Sequence, residues 1–159
     1  MEFLDENKNI IGYDRDIIAA IAEEIGMKSE FRNIAWDGIF ASLESGQANV
    51  IASCVTITDK RKKAYVFSDP YYEVHQAVVV AKDSAIKKPE DLKGKKVGVQ
   101  IGTTAIEALR KMNVDIDLRT YDEVGLVFED MRNGRLDVVV CDDPSPATTP
   151  AARKATRIS

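Results

Sequence analysis

The sequence predicts an α/β protein made of two consecutive βαβαβ units, each built around a largely parallel sheet. Short apolar segments alternate with helical patterns along the chain, which is the order expected of a parallel sheet. The size agrees, because 159 residues with 45% hydrophobic residues suffice for one ordinary domain or two small lobes. We predict a first lobe at residues 1–81, a second at 82–144 and an irregular tail at 145–159.

The first unit begins with a predicted hairpin at residues 2–13. A helix follows, with Asp14 as its N-cap and Gly26 at its end, because its isoleucines recur at helical spacing. Strands are predicted at 29–35 and 49–53, on either side of a second helix. This order of elements gives the first βαβαβ unit.

The second unit repeats this order after a junction near residues 80–84. A strand at 76–82 leads into the junction, and Pro89 opens a short helix at its first turn, a position that tolerates proline. The remaining predicted strands are 96–100, 116–121 and 136–141, with helices at 103–111 and 123–132. The tail that follows is rich in proline and alanine, so we expect it to be disordered or borrowed from an unrelated sequence.

Composition and charge argue against several classes of function. The net charge of −4 and an isoelectric point near 5.1 disfavour nucleic acid or an anionic membrane surface as the main partner. No apolar run approaches the ~20 residues of a membrane span, and the acidic start is unlike a secretory signal. The only histidine, His75, has no close-spaced ligand partner, and no nucleophile motif is visible. We therefore predict no metal, no cofactor and no catalytic residue.

Two candidate sites could hold an anion. Residues 54–61 leave the end of a predicted strand, where ligands bind in open α/β sheets, and Arg61 offers a planar fork suited to a carboxylate. Arg61 also belongs to the charged run 60–63, and spacing alone favours a solvated role. Residues 102–104 begin a helix whose amides suit an anion, although a turn with an N-cap fits equally well.

Two further candidates follow predicted strands. Asp142 could bind an ammonium group at the end of the last strand, and a strand-ending turn is the alternative. Trp36, the only tryptophan, would form either an aromatic wall or a core anchor. The residues alone leave both alternatives open.

Several segments form an ordered series from residue 2 to about residue 144. They are 12–17 (GYDRDI), 36–39 (WDGI), 56–61 (TITDKR), 67–72 (FSDPYY), 91–99 (DLKGKKVGV), 102–104 (GTT) and 133–137 (NGRLD), followed by Asp142. Together they resemble the family 3 extracellular solute-binding proteins, the polar amino-acid receptors of ABC importers. One position departs from the family pattern, because Arg15 stands where an apolar residue is usual.

The resemblance implies a type 2 periplasmic-binding-protein-like fold whose two lobes close over a free amino acid. The implied ligand-binding residues are Trp36, Cys54, Thr56, Arg61, Thr103, Thr104 and Asp142. Arg61 would bind the α-carboxylate with help from Thr56 and Thr103, and Asp142 would bind the α-ammonium. Trp36 would wall the side-chain pocket, and position 54 would add a backbone contact. For the thiols of Cys54 and Cys141 we adopt the interpretation of small buried groups.

The resemblance further implies a non-catalytic receptor in the periplasm or outside the cell, with the membrane subunits of an ABC transporter as partners. Family members begin with a further strand and continue beyond residue 144, so the implied fold is incomplete at both ends. Unpaired sheet edges would then favour a homo-oligomer. Two alternatives remain. One is an enzyme similar to cyclohexadienyl dehydratases, for which Glu73 and Asp143 are weak candidate acids, and the other is a sensory module of a receptor.

Overall fold

The computed structural model describes residues 2–143 and the backbone of residues 154–158, and it divides the chain into two compact units. Unit 1 contains residues 1–72 and unit 2 contains residues 73–159. The division lies ahead of the boundary predicted at 81/82. The reason is that the strand Gln76–Val80 pairs with strands of unit 2 rather than closing the first lobe.

Unit 1 opens with the predicted hairpin, formed by β1 (Glu2–Leu4) and β2 (Ile10–Gly12) in antiparallel register. Asp5 closes the turn, since its carboxylate accepts hydrogen bonds from the backbone amides of Asn7 and Asn9. The helices of the unit are α1 (Tyr13–Glu24), α2 (Ile39–Glu44), which continues a 3₁₀ turn at Trp36–Gly38, and α3 (Asp59–Lys62).

Asp14 is not the N-cap that the sequence predicts. Gly12 occupies that position with φ of 129°, and Asp14 lies inside the first turn of α1. Its side chain is only 1% exposed and accepts hydrogen bonds from other segments of unit 1. Glycine adopts such a positive φ readily because it lacks a Cβ. The N-cap position therefore carries no side chain that could cap α1.

The strands predicted at 29–35 and 49–53 are wrong. Within the described part of the chain neither segment forms a ladder with another strand, so the first βαβαβ unit does not form. Both segments instead line a groove of about 490 Å³, the unit 1 groove. Apolar residues of its wall include Ile18, Ile21, Ile25, Ile34, Val50 and Ile51. The apolar pattern of a strand is present, but a strand also needs a neighbouring backbone to bond with.

Unit 2 contains the predicted second βαβαβ unit, and this prediction is confirmed. The sheet has the strand order β5-β4-β6-β3-β7, where β7 is Lys154–Ile158. Strand β4 runs parallel to β5 and β6, and β3 runs antiparallel to β6. The strands are β3 (Gln76–Val80), β4 (Lys96–Gln100), β5 (Asp117–Tyr121) and β6 (Val138–Asp142), and the helices are α4 (Thr104–Met112) and α5 (Val124–Arg132). A 3₁₀ turn at Pro89–Leu92 replaces the predicted short helix.

The tail is not irregular throughout. Strand β7 (Lys154–Ile158) pairs antiparallel with β3, with Gln76 opposite Ile158 and Val80 opposite Lys154. An edge strand is held by backbone hydrogen bonds to one neighbour, so it does not need the deep apolar burial on which the prediction was based. Residues 145–153 and 159, where the tail was also predicted to be irregular, lie outside the described residues.

The core of the described chain lies in unit 2, on both faces of its sheet. Successive strand residues point to opposite faces, so Val138 and Val140 pack with α4 while Val139 packs with α5. Such two-sided burial is typical of parallel sheets covered by helices. In unit 1, Ile39 is the one buried hydrophobic residue among those described. The helices described in either unit do not reach the length and apolar character needed to cross a bilayer.

Gly98 in β4 allows α5 to pack closely against the sheet. A Cβ at this position would lie 2.4 Å from Leu136 Cδ1 and 2.5 Å from Val127 Cγ1. Val127 is fully buried and its side chain is stiff, so it cannot move away cheaply. We expect Gly98→Ala to lower the free energy of unfolding by about 1–3 kcal/mol, measured by chemical denaturation.

A matched control is available at Gly125 in α5, where a Cβ would meet no atom within 4 Å. Gly125→Ala should leave the free energy of unfolding unchanged or raise it by about 0.5–1 kcal/mol. Equal effects of the two substitutions would contradict the packing role of Gly98.

Candidate functional site

Arg61 of unit 1 is held by its own short helix. The hydroxyl oxygen of Thr58 caps α3 by accepting a hydrogen bond from the Arg61 backbone N–H at 3.1 Å. The Arg61 Nη1 donates to the carbonyl oxygen of Thr56 at 2.9 Å. Two predicted site residues, Thr56 and Arg61, are therefore in direct contact, and the guanidinium plane has a fixed support.

The ring of Phe40 supports the same guanidinium from α2. The Arg61 Cζ lies 5.2 Å from the ring centroid, within the range of a cation–π interaction. Phe40 is itself packed on Tyr65 at 4.9 Å between ring centroids. Arg61 is half-buried, whereas the lysines at 60, 62 and 63 are exposed. The charged run thus contains one positioned cation among solvated ones, a distinction that spacing alone did not make.

Trp36 and Cys54, two further predicted site residues, also belong to unit 1. The indole Nε1 of Trp36 is buried and has no hydrogen-bond partner within residues 2–143. Cys54 has a φ of 43°, a left-handed conformation uncommon for a residue with a side chain. Its thiol donates to Asp14 Oδ1 at 3.4 Å.

Asp14 organises a polar cluster that the sequence analysis missed. The hydroxyl of Tyr71 donates to Asp14 Oδ1 at 2.6 Å, next to the bond from the Cys54 thiol. Burial, with the neighbouring Cys54 and Glu2, raises the pKa of Tyr71 to about 12. Asp14 thereby joins three segments that are distant in sequence. The aspartate-rich helix entry at 12–17 was noted, but its pattern does not reveal which partners the buried carboxylate selects.

In unit 2, Thr103 stands at the beginning of α4. It is the N-cap residue by position, but its hydroxyl donates to the Gln100 carbonyl oxygen at 2.8 Å and makes no capping bond. The preceding Gly102 has a φ of 73°, which glycine adopts without strain. The N–H groups of a first helical turn point outward along the helix axis, so the arrangement is compatible with an acceptor at this end.

Gln76 joins Thr104 to Asp142. Its Nε2 donates to Thr104 Oγ1 at 3.1 Å and to Asp142 Oδ1 at 2.5 Å. Gln76 and Asp142 are directly opposite in the pairing of β3 with β6. The structure therefore unites two predicted site residues through a third that the sequence analysis did not single out. The strand pairing that brings them together joins segments 66 residues apart, and no local pattern reports it.

Cys141 and His75 are two further titratable residues of unit 2 that the sequence analysis considered. Cys141 is buried, and burial followed by the charges of Asp142 and Asp143 raises the pKa of its thiol to about 12. A thiol with so high a pKa is almost entirely protonated at neutral pH and is a poor nucleophile. His75 Nε2 lies 3.6 Å from an exposed Glu73 carboxylate oxygen. No group of three metal-ligating side chains occurs in the part of the chain that the structure describes.

The chain belongs to the bacterial extracellular solute-binding proteins, family 3, whose sequence model matches residues 1–94. A second model, described as NMT1/THI5 like, matches residues 65–141, which is less than half of the chain. The match of the family 3 model to more than half of the chain confirms the predicted family.

The relatives are named for amino-acid binding. The chain is 39% identical over 144 residues to a probable histidine-binding protein of Neisseria gonorrhoeae, covering 89% of this chain and 54% of that protein. The chain thus spans about half the length of the curated relatives that it matches.

Solved structures confirm the fold. An ancestral arginine-binding protein bound to arginine superimposes with a TM-score of 0.90 and 39% identity, covering 98% of this chain and 72% of that one. The ancestral amino acid-binding protein AncCDT-1, a precursor of cyclohexadienyl dehydratase, superimposes with a TM-score of 0.87 and 39% identity over 92% of this chain and 66% of that one.

Proposed function

We propose that this protein binds a free polar amino acid and delivers it to the membrane subunits of an ABC transporter. The observation that carries the proposal is the positioned guanidinium of Arg61, oriented by the Thr56 carbonyl and the Phe40 ring. A guanidinium offers two parallel N–H donors that match a carboxylate, which every free amino acid carries. Family membership and the amino-acid-binding names of the relatives support the same class of ligand.

The α-ammonium is assigned to Asp142 of unit 2. A carboxylate supplies only acceptors, and an ammonium supplies three donors, so the two groups are complementary in charge and in hydrogen bonding. Gln76 holds one oxygen of this carboxylate in place. The hydroxyl of Thr104 and the first turn of α4 at Thr103 supply further polar contacts in the proposal.

The side-chain pocket is assigned to Trp36 and Cys54. The buried Trp36 Nε1 lacks a partner in the described residues, so a polar ligand side chain or a water molecule would complete it. In this proposal the backbone of Cys54, which has an unusual positive φ, contacts the ligand, whereas its thiol donates a hydrogen bond to Asp14. These two positions favour a polar rather than an aliphatic ligand side chain.

The receptor is proposed to act in the periplasm or outside the cell and to carry out no reaction. The family's description as extracellular and the relatives' binding names support this. The similarity to a precursor of cyclohexadienyl dehydratase makes a direct assay worthwhile. Incubation with prephenate or arogenate should yield no dehydration product, and formation of product would establish an enzyme.

A thermal-shift screen against the twenty amino acids tests the binding proposal. A ligand that prefers the folded state raises apparent stability by about 2.7 kcal/mol when its concentration is 100 times its Kd. We expect the rise in Tm to be larger with one or a few polar amino acids than with their deaminated analogues at equal concentration. The absence of any rise with all twenty would overturn the proposal.

We further propose that the chain forms a homo-oligomer in solution. The rim of the unit 1 groove exposes large apolar side chains, among them Phe3, Ile25, Met27 and Val50. Contiguous exposed apolar surface favours association. Light scattering after gel filtration should report a mass above the 17.6 kDa of one chain. A well-folded monomer would contradict this prediction.

A further inference from the structure

We propose that Gln76 is the positioning residue of the ammonium-binding half of the site, acting through Asp142 and Thr104; the proposal rests on the function proposed above. One amide nitrogen contacts both groups, at 2.5 Å from Asp142 Oδ1 and 3.1 Å from Thr104 Oγ1. A carboxylate can only accept hydrogen bonds, so the amide nitrogen and not the amide oxygen must face Asp142.

The backbone gives Gln76 a fixed place opposite Asp142. It is the first residue of β3, and the four residues that follow it are buried in the sheet. The β3–β6 ladder sets Gln76 against Asp142, and the hydrogen bond from the Asp143 N–H to the His75 carbonyl at 2.8 Å extends this pairing by one residue. The amide therefore reaches the carboxylate from a rigid strand rather than from a loop.

A neutral donor preserves the charge that the site needs. A lysine or arginine at position 76 would orient Asp142 but would also neutralise it, and the pair would then attract an ammonium weakly. The glutamine amide fixes one carboxylate oxygen without supplying a charge. It also occupies a lone pair of the Thr104 hydroxyl, so that the O–H of Thr104 is directed away from Gln76 and acts as a donor.

The other end of the Gln76 side chain shows that the residue does not serve stability alone. Its Oε1 is buried and accepts no hydrogen bond from the part of the chain that the structure describes. A buried acceptor without a partner costs free energy that an apolar side chain of similar size would not. Gln76 is thus suboptimal for folding and favourable for orienting Asp142.

The test compares Gln76→Met with the wild-type protein. Methionine keeps the length of the side chain and removes both hydrogen bonds. Calorimetry would use L-arginine and L-histidine, each paired with its deaminated carboxylic acid, and Tm would be measured without ligand. We expect the affinity for the amino acids to fall about tenfold, the affinity for the deaminated acids to change less than twofold, and Tm to stay level or rise.

The matched control is Gln100→Met, which removes a side-chain amide that donates to the Asp122 carbonyl at 3.0 Å. The backbone carbonyl of residue 100, which accepts a hydrogen bond from Thr103, is retained. The ligand affinities of this variant should remain within twofold of the wild-type values. A double variant with Asp142→Asn should show that Gln76→Met has little further effect once the charge of Asp142 is gone, since residues that act as a unit are not additive.

Each outcome decides the proposal. Equal loss for amino acids and deaminated acids, or full additivity with Asp142→Asn, would overturn the positioning role. Unchanged affinity of Gln76→Met in a wild-type protein that binds would overturn this inference while leaving the proposed function standing. If the thermal-shift screen identifies other amino acids, these replace L-arginine and L-histidine in the titrations. A wild-type protein that binds none of the twenty amino acids would overturn both proposals.

Discussion

Arg61→Ala should remove most of the amino-acid affinity. Removing one member of a buried, hydrogen-bonded charge pair costs about 2–5 kcal/mol, which corresponds to a loss of about 30-fold or more. The Arg61 guanidinium is partly buried against Phe40 and bonded to Thr56, so no neighbouring lysine can take its position. Calorimetric titration with L-arginine and L-histidine would measure the loss.

Two variants separate charge from geometry at this position. Lys60→Ala removes an exposed cation from the same helix and should change affinity less than twofold. Arg61→Lys keeps the charge but loses the planar fork, and it should restore only part of the affinity. If Arg61→Ala binds within threefold of the wild-type protein, the assignment of Arg61 to the carboxylate is wrong.

Asp142→Asn should weaken amino acids by about 30-fold or more while affecting deaminated analogues far less. Asparagine keeps the shape of the side chain, and its carbonyl oxygen can still accept the hydrogen bond from Gln76. The substitution therefore removes the charge and leaves the orientation. Affinities for each amino acid and its deaminated analogue, measured by calorimetry, would report the difference.

Asp143→Asn is the neighbouring control. Asp143 continues the strand pairing through its backbone N–H, which the substitution leaves intact. Its effect on the ratio of the two affinities should be less than threefold. Equal losses of amino acid and analogue in Asp142→Asn would mean that Asp142 serves the structure of unit 2 rather than the ammonium.

The bounds of most strands and helices in unit 2 were predictable because each element shows its apolar pattern within a short stretch of sequence. The strand at Lys96–Gln100 has its predicted bounds, and the helices α4 and α5 begin within one residue of prediction. The segments at 29–35 and 49–53 have equally good apolar patterns, but a strand needs a partner backbone that no local pattern reports. The prediction of an irregular tail was wrong at residues 154–158 for the opposite reason. There the backbone pairs with β3 although the composition of the tail does not favour a strand.

The residues of the candidate site were likewise predictable only in part. Arg61 and Asp142 could be named as candidates because each follows a predicted strand, although the strand predicted before Arg61 does not form. Only the family resemblance then favoured a binding role over a solvated or turn role. Gln76 and Asp14 could not, because their importance lies in partners 28 to 66 residues away in the chain. An uncharged glutamine at the start of a strand carries no local signal of its own.

The position of β3 in the sheet also bears on how the protein is made. This strand is the first of unit 2 to leave the ribosome, yet its neighbours β6 and β7 are the last two described strands of the chain. The three consecutive valines at 78–80 therefore have no neighbouring strand to pair with until residues 81–137 have been synthesised. Such long-range pairing slows folding, and exposed apolar strands associate with other chains. Nascent chains released before β6 should consequently depend on chaperones for solubility.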